Sequence, residues 1–324
     1  MPAARRRILS TLFSADPLMP VWQERVNMLR PAARDATTIA AIVRRAPRYD
    51  AVVLDGSARR DQVAAALVRR LPRHPAIVIA DSTWKADGGL DSVVNRMGIR
   101  ALDGPRTTFC VLTRFETESF PRTWGLRSSR VCFTPWPVTL KDDLPSTDNG
   151  HVFAGGNSLR DYGPLIAAAA EVGAPVDIAT SVLSSEELGP VAANLTIGPR
   201  SQAEYDAMLR AAAVVVVPLQ AREDRCSGQT TYVNAMARGK AIVVTDTPGV
   251  RDYIQDGETG LIVAPGDTAA MGQAVTRLLA DPAERARIGD RARAYAFGEL
   301  TLTRYATRLL EVVDETLAAP AERR

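Results

Sequence analysis

Histidine, paired cysteine and long apolar runs are scarce in this 324-residue sequence, and each shortage closes off a class of chemistry. The two histidines, His74 and His151, stand at strand entrances. Ligands are expected at the opposite strand ends, so neither a histidine nucleophile nor a metal centre is indicated. Cys110, Cys132 and Cys226 are widely separated, odd in number and without the spacing of a zinc site or a redox dithiol. Such usage suits a reducing compartment, and the apolar runs around Cys110 and Cys132 mark both as core. No stretch approaches the roughly 20 apolar residues of a spanning helix. Arg5, Arg6 and Arg7 precede only the short run Ile8 to Phe13, which soon meets Asp16 and Pro17. Neither a leader nor an anchor is therefore expected, and a cytoplasmic location is. Internal repeats, low-complexity tracts and a Walker phosphate loop are also missing.

What the chain does have is 46% hydrophobic and 24% charged residues, enough at this length for two cores of roughly 150 residues each. Charge is divided unevenly. Residues 1–149 carry 23 basic against 15 acidic side chains, whereas residues 150–324 carry 17 against 22. A positive first half attracts anionic lipid headgroups or an anionic acceptor, so peripheral contact with an anionic membrane is an expectation. A nucleic-acid partner is not.

Short apolar runs alternate with amphipathic segments of helix length, the pattern of a parallel sheet covered by crossover helices. In the first half the strands are expected at Ile8 to Phe13, Ala51 to Leu54, Ala76 to Ala80, Thr108 to Leu112 and Val131 to Thr134. The turn-rich segment Lys141 to Gly150 then reads as a linker, giving domains 1–149 and 150–324. The second half repeats the rhythm at His151 to Ala154, Val176 to Ala179, Leu195 to Ile197, Val214 to Pro218 and Ala241 to Thr245. After Gly260 to Val263 come three helical patterns, from Asp267, from Pro282 and from about Leu300 to Leu317. The fold class expected is α/β, two doubly wound Rossmann-like domains with ligands at facing strand ends.

Two segments suit a phosphate. Ser227, Gly228, Gln229 and Thr230 stand where strand, loop and helix meet, so that small residues admit a ligand to helix N-terminal amides while the polar side chains add hydrogen bonds. In AGGNSLRDYG, Gly155 and Gly156 end a strand and Arg160 follows with a guanidinium fork suited to a diphosphate.

From Val214 to Asp267 the chain reads VVVVPLQAREDRCSGQTTYVNAMARGKAIVVTDTPGVRDYIQDGETGLIVAPGD, which resembles the donor-binding half of the family-four retaining glycosyltransferases of GT-B fold. The likeness implies a nucleoside-diphosphate-sugar donor, a saccharide, glycolipid or small-molecule acceptor, retention of configuration and no metal. It places the nucleotide base at Ile197, Gly198, Pro199 and Arg200, and the ribose at Asn234; Asn157 and Tyr162 align with the usual arginine and lysine of the phosphate site. The two glutamates common in such relatives are replaced by Cys226 and Asn234, with Glu223 and Asp224 the nearest substitutes. Two other readings share the architecture: a sugar-nucleotide-binding protein without transfer, and a sugar-nucleotide epimerase.

On the acceptor side, the polar residues that follow first-domain strands are Asp55, Ser57, Asp81, Ser82, Thr113 and Arg114. Asp81 is the first candidate for an acceptor-hydroxyl contact, and with Arg160 and Asp224 it completes the expected catalytic set. Inversion with Asp81 or Asp55 as general base is the alternative mechanism. The last helix is expected to cross back onto the first domain.

Overall fold

The computed structural model describes residues 7–12, 20–84, 86, 89–127, 129–140, 142, 144–183 and 188–319. Arg5, Arg6, Phe13, Asp16, Pro17 and Lys141, named above, lie outside them. The chain divides into two compact units, residues 1–135 with 302–324 and residues 136–301.

The first unit holds a six-stranded parallel sheet in the order β2-β1-β3-β4-β5-β6, with β1 Ile8–Ser10, β2 Val26–Met28, β3 Ala51–Asp55, β4 Ala76–Ala80, β5 Thr107–Val111 and β6 Arg130–Phe133. Five of these strands, β1, β3, β4, β5 and β6, fall on the apolar runs expected to form them. The sixth, β2, is a three-residue edge strand with Asn27 at its centre, too short and too polar to announce itself. Alternate residues of each strand face opposite cores, as the two-residue side-chain period requires. Val52, Leu54, Ile77, Ile79, Phe109 and Val111 pack under α2 Asp35–Arg45, α3 Arg59–Arg69, α4 Leu90–Leu102 and α5 Arg114–Trp124. Ala51, Val53, Val78, Ala80 and Cys110 face the other way, where Trp22 of α1 Pro20–Gln23 and Tyr305, Leu309, Leu310, Val312 and Val313 of the C-terminal helix cover them.

The second unit has strands β7 Val152–Gly155, β8 Val176–Ala179, β9 Leu195–Gly198, β10 Val214–Val217, β11 Ala241–Thr245 and β12 Leu261–Val263, all parallel in the order β12-β11-β10-β7-β8-β9. One face packs on α6 Gly163–Val172 and on the helix Thr268–Ala280, the other on α7 Gln202–Ala211, α8 Gln229–Ala237 and the helix Pro282–Glu299. We number the last three helices of the chain α9 Thr268–Ala280, α10 Pro282–Glu299 and α11 Leu302–Ala318.

The two units meet in sequence at residues 135 and 136 rather than 149 and 150. Described residues of the segment expected as a linker, 141–150, and the residues just before it are strapped to the second unit by hydrogen bonds that a polar composition alone does not reveal. Trp136 N donates to Tyr253 Oη at 2.8 Å and Val138 N to Leu300 O at 2.7 Å. Arg238 donates to Leu144 O and Asp142, and Lys240 Nζ to Thr147 O. α11 belongs to the first unit, where Thr108 and Thr316 hydroxyls lie 2.7 Å apart.

Candidate functional site

In the second sheet β7 and β10 are neighbours from which the strand order runs outward in both directions. Beyond their carboxyl ends lies the topological switch point where sheets of this type take ligands. Two loops meet there. Gly156, at the end of β7, has φ +115°, and a Cβ on it would lie 2.6 Å from the Arg160 guanidinium, so only glycine fits. Gly228, with φ +100°, turns the chain into α8. As N-cap it offers no side-chain oxygen to the first-turn N–H groups, which have no intrahelical acceptor in any α-helix.

Arg160 joins the loops. Its Nε donates to Gly155 O at 3.0 Å, Nη1 to Ser158 O at 2.7 Å and to Ser227 Oγ at 3.4 Å, and Nη2 to Thr231 Oγ1 at 3.1 Å. Ser227 Oγ itself donates to Ser158 O at 2.9 Å. The guanidinium is thus buried, with burial pulling it below the usual arginine range, and spent on protein acceptors. The fork expected to meet a diphosphate is bonded here to Gly155, Ser158, Ser227 and Thr231 instead. The reason is local: Leu159 takes φ +50°, Arg160 pairs with Leu219 as an isolated antiparallel bridge, and its side chain folds back beneath Gly156.

A second cation, not among the residues expected from the sequence, is less buried than Arg160. Arg225 is half-buried, donates from Nη2 to Ser158 Oγ at 3.1 Å, and holds Nε buried with no hydrogen-bond partner among the described residues. Its neighbour Asp224 is held by Arg222 at 2.9 and 3.1 Å, and that bond keeps the carboxyl below its usual range. Asp224 therefore stands here as an ion-pair partner. Glu223 is exposed.

The remaining donor-side residues divide between site and scaffold. Gly155 ends β7, and Gly156, Ser227, Gly228, Gln229 and Thr230 stand on the two switch-point loops or at the start of α8. Asn157 Oδ1 accepts from Thr180 Oγ1 and Ser181 N, and Tyr162 Oη donates to Gly156 O at 2.6 Å, so both shape the β7 turn. Ile197 is buried within β9, and Arg200 folds back to donate to Pro199 O at 2.9 Å before Ser201 caps α7. Cys226 Sγ donates to Pro248 O at 2.7 Å. Asn234 Oδ1 accepts from Thr139 N at 2.9 Å, tying α8 to the strap. Asn234, Thr230, Thr139, Trp136, Tyr205 and Asp206 border a cavity of about 240 Å³ within this unit.

In the first unit, Asp81 follows β4 with φ +50°, unusual outside glycine, and accepts a hydrogen bond of 2.5 Å from Tyr305 Oη of α11. Burial pushes its carboxyl up to about 7, against the opposing effect of that bond, and the charge of Asp55 adds to the rise. It caps no helix. Ser82 Oγ donates to Ile79 O, and Asp55 Oδ1 accepts from Ser57 N and Oγ. Thr113 is the N-cap of α5, and Arg114 lies over the Phe133 ring at 5.0 Å. Tyr305 could not be found from the sequence, because 224 residues separate it from Asp81 and only the packing of α11 unites them.

Residues 177–281 match the family model described as glycosyl transferases group 1. Over 99 residues the chain is 32% identical to the lipopolysaccharide 1,2-N-acetylglucosaminetransferase of Salmonella typhimurium, a match covering 30% of this chain and 25% of the length of that enzyme. Among solved structures, sucrose-phosphate synthase from Thermosynechococcus elongatus superposes with a TM-score of 0.62 at 19% identity, covering 90% of this chain and 81% of the other. Anabaena Alr3699/HepE in complex with UDP gives 0.63 at 14% identity, covering 90% and 85%. The chain thus has the GT-B fold of two Rossmann-like domains and, over residues 177–281, a segment of the group 1 glycosyl transferase type.

Proposed function

We propose that this protein is a glycosyltransferase that moves a sugar from a nucleoside-diphosphate sugar to a saccharide, glycolipid or small-molecule acceptor. The observation that carries the reading is the switch point of the second unit, which lies beside and partly within the segment matching group 1 glycosyl transferases. There a helix N-terminus without a side-chain cap, two glycines with positive φ and a buried Arg225 Nε with no hydrogen-bond partner among the described residues come together. Helix-terminal amides and a guanidinium are the groups that hold a diphosphate and stabilise the charge it gains on leaving. The complex of Anabaena Alr3699/HepE with UDP supports a nucleoside diphosphate as the ligand class.

In the retaining scheme the bond from the sugar C1 to the diphosphate oxygen breaks while the acceptor oxygen bonds to C1 on the same face. The acceptor proton passes to the departing phosphate. Arg225 and the α8 amides then act on the leaving group, with Arg160 fixing the loops beneath them. Asp81 contacts the acceptor hydroxyl. Inversion would instead use Asp81 as base, for which a carboxyl near 7 is well tuned.

Binding without transfer is the second reading, favoured by one observation: Cys226 and Asn234, which stand where relatives carry glutamates, are both committed to internal hydrogen bonds. A calorimetric panel of uridine, guanosine and adenosine diphosphates tests the shared premise, since a ligand at a hundredfold excess over Kd adds about 2.7 kcal/mol of stability. Binding of none of them would overturn both readings. Donor consumption with released nucleoside diphosphate then separates transfer from binding, and product analysis without acceptor separates either from epimerisation.

A further inference from the structure

Among the described residues eight large hydrophobic side chains are exposed, and five of them sit on two neighbouring helices of the first unit: Val63 and Leu67 on α3, and Val93, Val94 and Met97 on α4. Each helix places its pair one turn apart, 63 with 67 and 93 with 97, so each shows an apolar stripe on its outer side. Met97 is 69% exposed, the most of the eight. Both stripes end in an exposed arginine, Arg70 one turn beyond Leu67 and Arg100 one turn beyond Met97.

Helices between parallel strands run antiparallel to them, so both stripes descend toward the amino ends of the strands. That end is basic. A pocket of about 630 Å³, entered between the starts of β3, β4 and β5, is bordered by Arg69, Arg70, Arg73, His74 and Arg106, with Asp50 as its acidic member. Asp50 accepts from Arg7 N at 2.7 Å. Of the described acids nearby, Asp61 is buried and Asp103 accepts from the backbone N–H groups of Arg127 and Ser129 at 2.8 Å. The unit as a whole has 26 basic residues against 16 acidic ones.

We propose that the outer face of α3 and α4 is a docking surface for an anionic phospholipid bilayer, with a lipid phosphate in the arginine pocket. The apolar stripes enter the interface between headgroups and acyl chains, and the arginines at their ends pair with the headgroup phosphates. Charge selects this occupant, because an apolar face that ends in unbalanced arginines is complementary to an anionic surface and repels a second copy of itself. The surface lies on the first unit and does not depend on the diphosphate site of the second.

The test is cosedimentation of the full chain with vesicles of phosphatidylglycerol and phosphatidylcholine in equal parts, beside vesicles of phosphatidylcholine alone. Binding to the anionic vesicles is expected at low salt and should fall severalfold when ionic strength rises to about 0.5 M, where screening shortens the reach of the arginines. Val93→Ser with Met97→Ser should lower it at least tenfold, as should Arg73→Glu with Arg106→Glu, while nucleoside-diphosphate binding and the melting transition stay as in the wild type. Equal binding to both vesicle types, or none to either, would overturn the proposal. So would a lipid-free dimer that Val93→Ser with Met97→Ser dissolves, since the stripe would then be an interface between copies. Calorimetry with nucleoside diphosphates, run in parallel, reads the donor site independently of either result.

Discussion

Single side chains decide most of what is specific to this molecule, and three of them yield measurements. Arg160 holds together Gly155, Ser158, Ser227 and Thr231 while nearly buried. Replacing it by methionine keeps the volume but leaves buried acceptors without donors. We expect a loss of about 2–4 kcal/mol in urea denaturation. Among the described residues Arg225 makes one hydrogen bond, to Ser158. Arg225→Ala should leave the denaturation midpoint nearly unchanged yet weaken nucleoside-diphosphate binding by about tenfold, the effect of one charge-assisted contact of ~1.4 kcal/mol. Equal affinity in calorimetry would remove Arg225 from the site.

Asp81 gives the pH dependence. Its carboxyl titrates near 7 in the folded protein and near the ordinary 3.8 when unfolded, so between those values the folded state binds the extra proton. Its contribution to stability is therefore fully present below about pH 4 and is lost as pH rises toward 7. Asp81→Asn should flatten this part of the stability profile and gain on the order of a few kcal/mol at pH 8. Tyr305→Phe should move the titration upward, since the hydroxyl favours the ionised carboxyl. An unchanged profile in either variant would show that Asp81 does not carry the slope.

At the scale of the element, much of what the strands and helices do was readable in the chain. The apolar runs Ala76 to Ala80 and Val214 to Pro218 predict buried parallel strands, and β4 and β10 fill those places. Gly228 before QTTYVNAMA predicts a helix start, which α8 supplies. What periodicity could not supply was the fate of polar residues at element ends. Thr113 became a cap, Asp224 an ion-pair partner and Asn234 a tie to Thr139, because each met a neighbour that the sequence does not order. Caps make the point testable. Ser201 and Glu204 form a reciprocal capping box at the start of α7. Ser201→Ala should cost about 1 kcal/mol in thermal or urea unfolding, read from the second unit.

For the molecule as a whole, the two compact units predict separate behaviour. Residues 136–301 contain a complete sheet with both faces covered. Expressed alone, that fragment should fold and bind nucleoside diphosphate. The chain ending at residue 301 should lose the first unit, because Tyr305, Leu309, Leu310, Val312 and Val313 are removed from one face of its sheet. Five buried side chains at about 1.5–3 kcal/mol each match or exceed the net stability of an ordinary domain. Circular dichroism of the truncated chain would then report native structure from the second unit alone; native helix content in full would contradict this.

The sequence by itself determined the α/β architecture, the two sheets and the segment that matches group 1 glycosyl transferases, because those depend on local periodicity and on contiguous residues. Tertiary structure alone decided that Arg160 is buried against Gly155 and Thr231, that Arg225 reaches Ser158, that Tyr305 meets Asp81, and that residues 136–149 belong to the second unit. Each of those outcomes depends on which distant group a side chain reaches first. Hydrogen-bond partners and burial are set by where sheets and helices bring backbone segments together, and no local pattern encodes that distance.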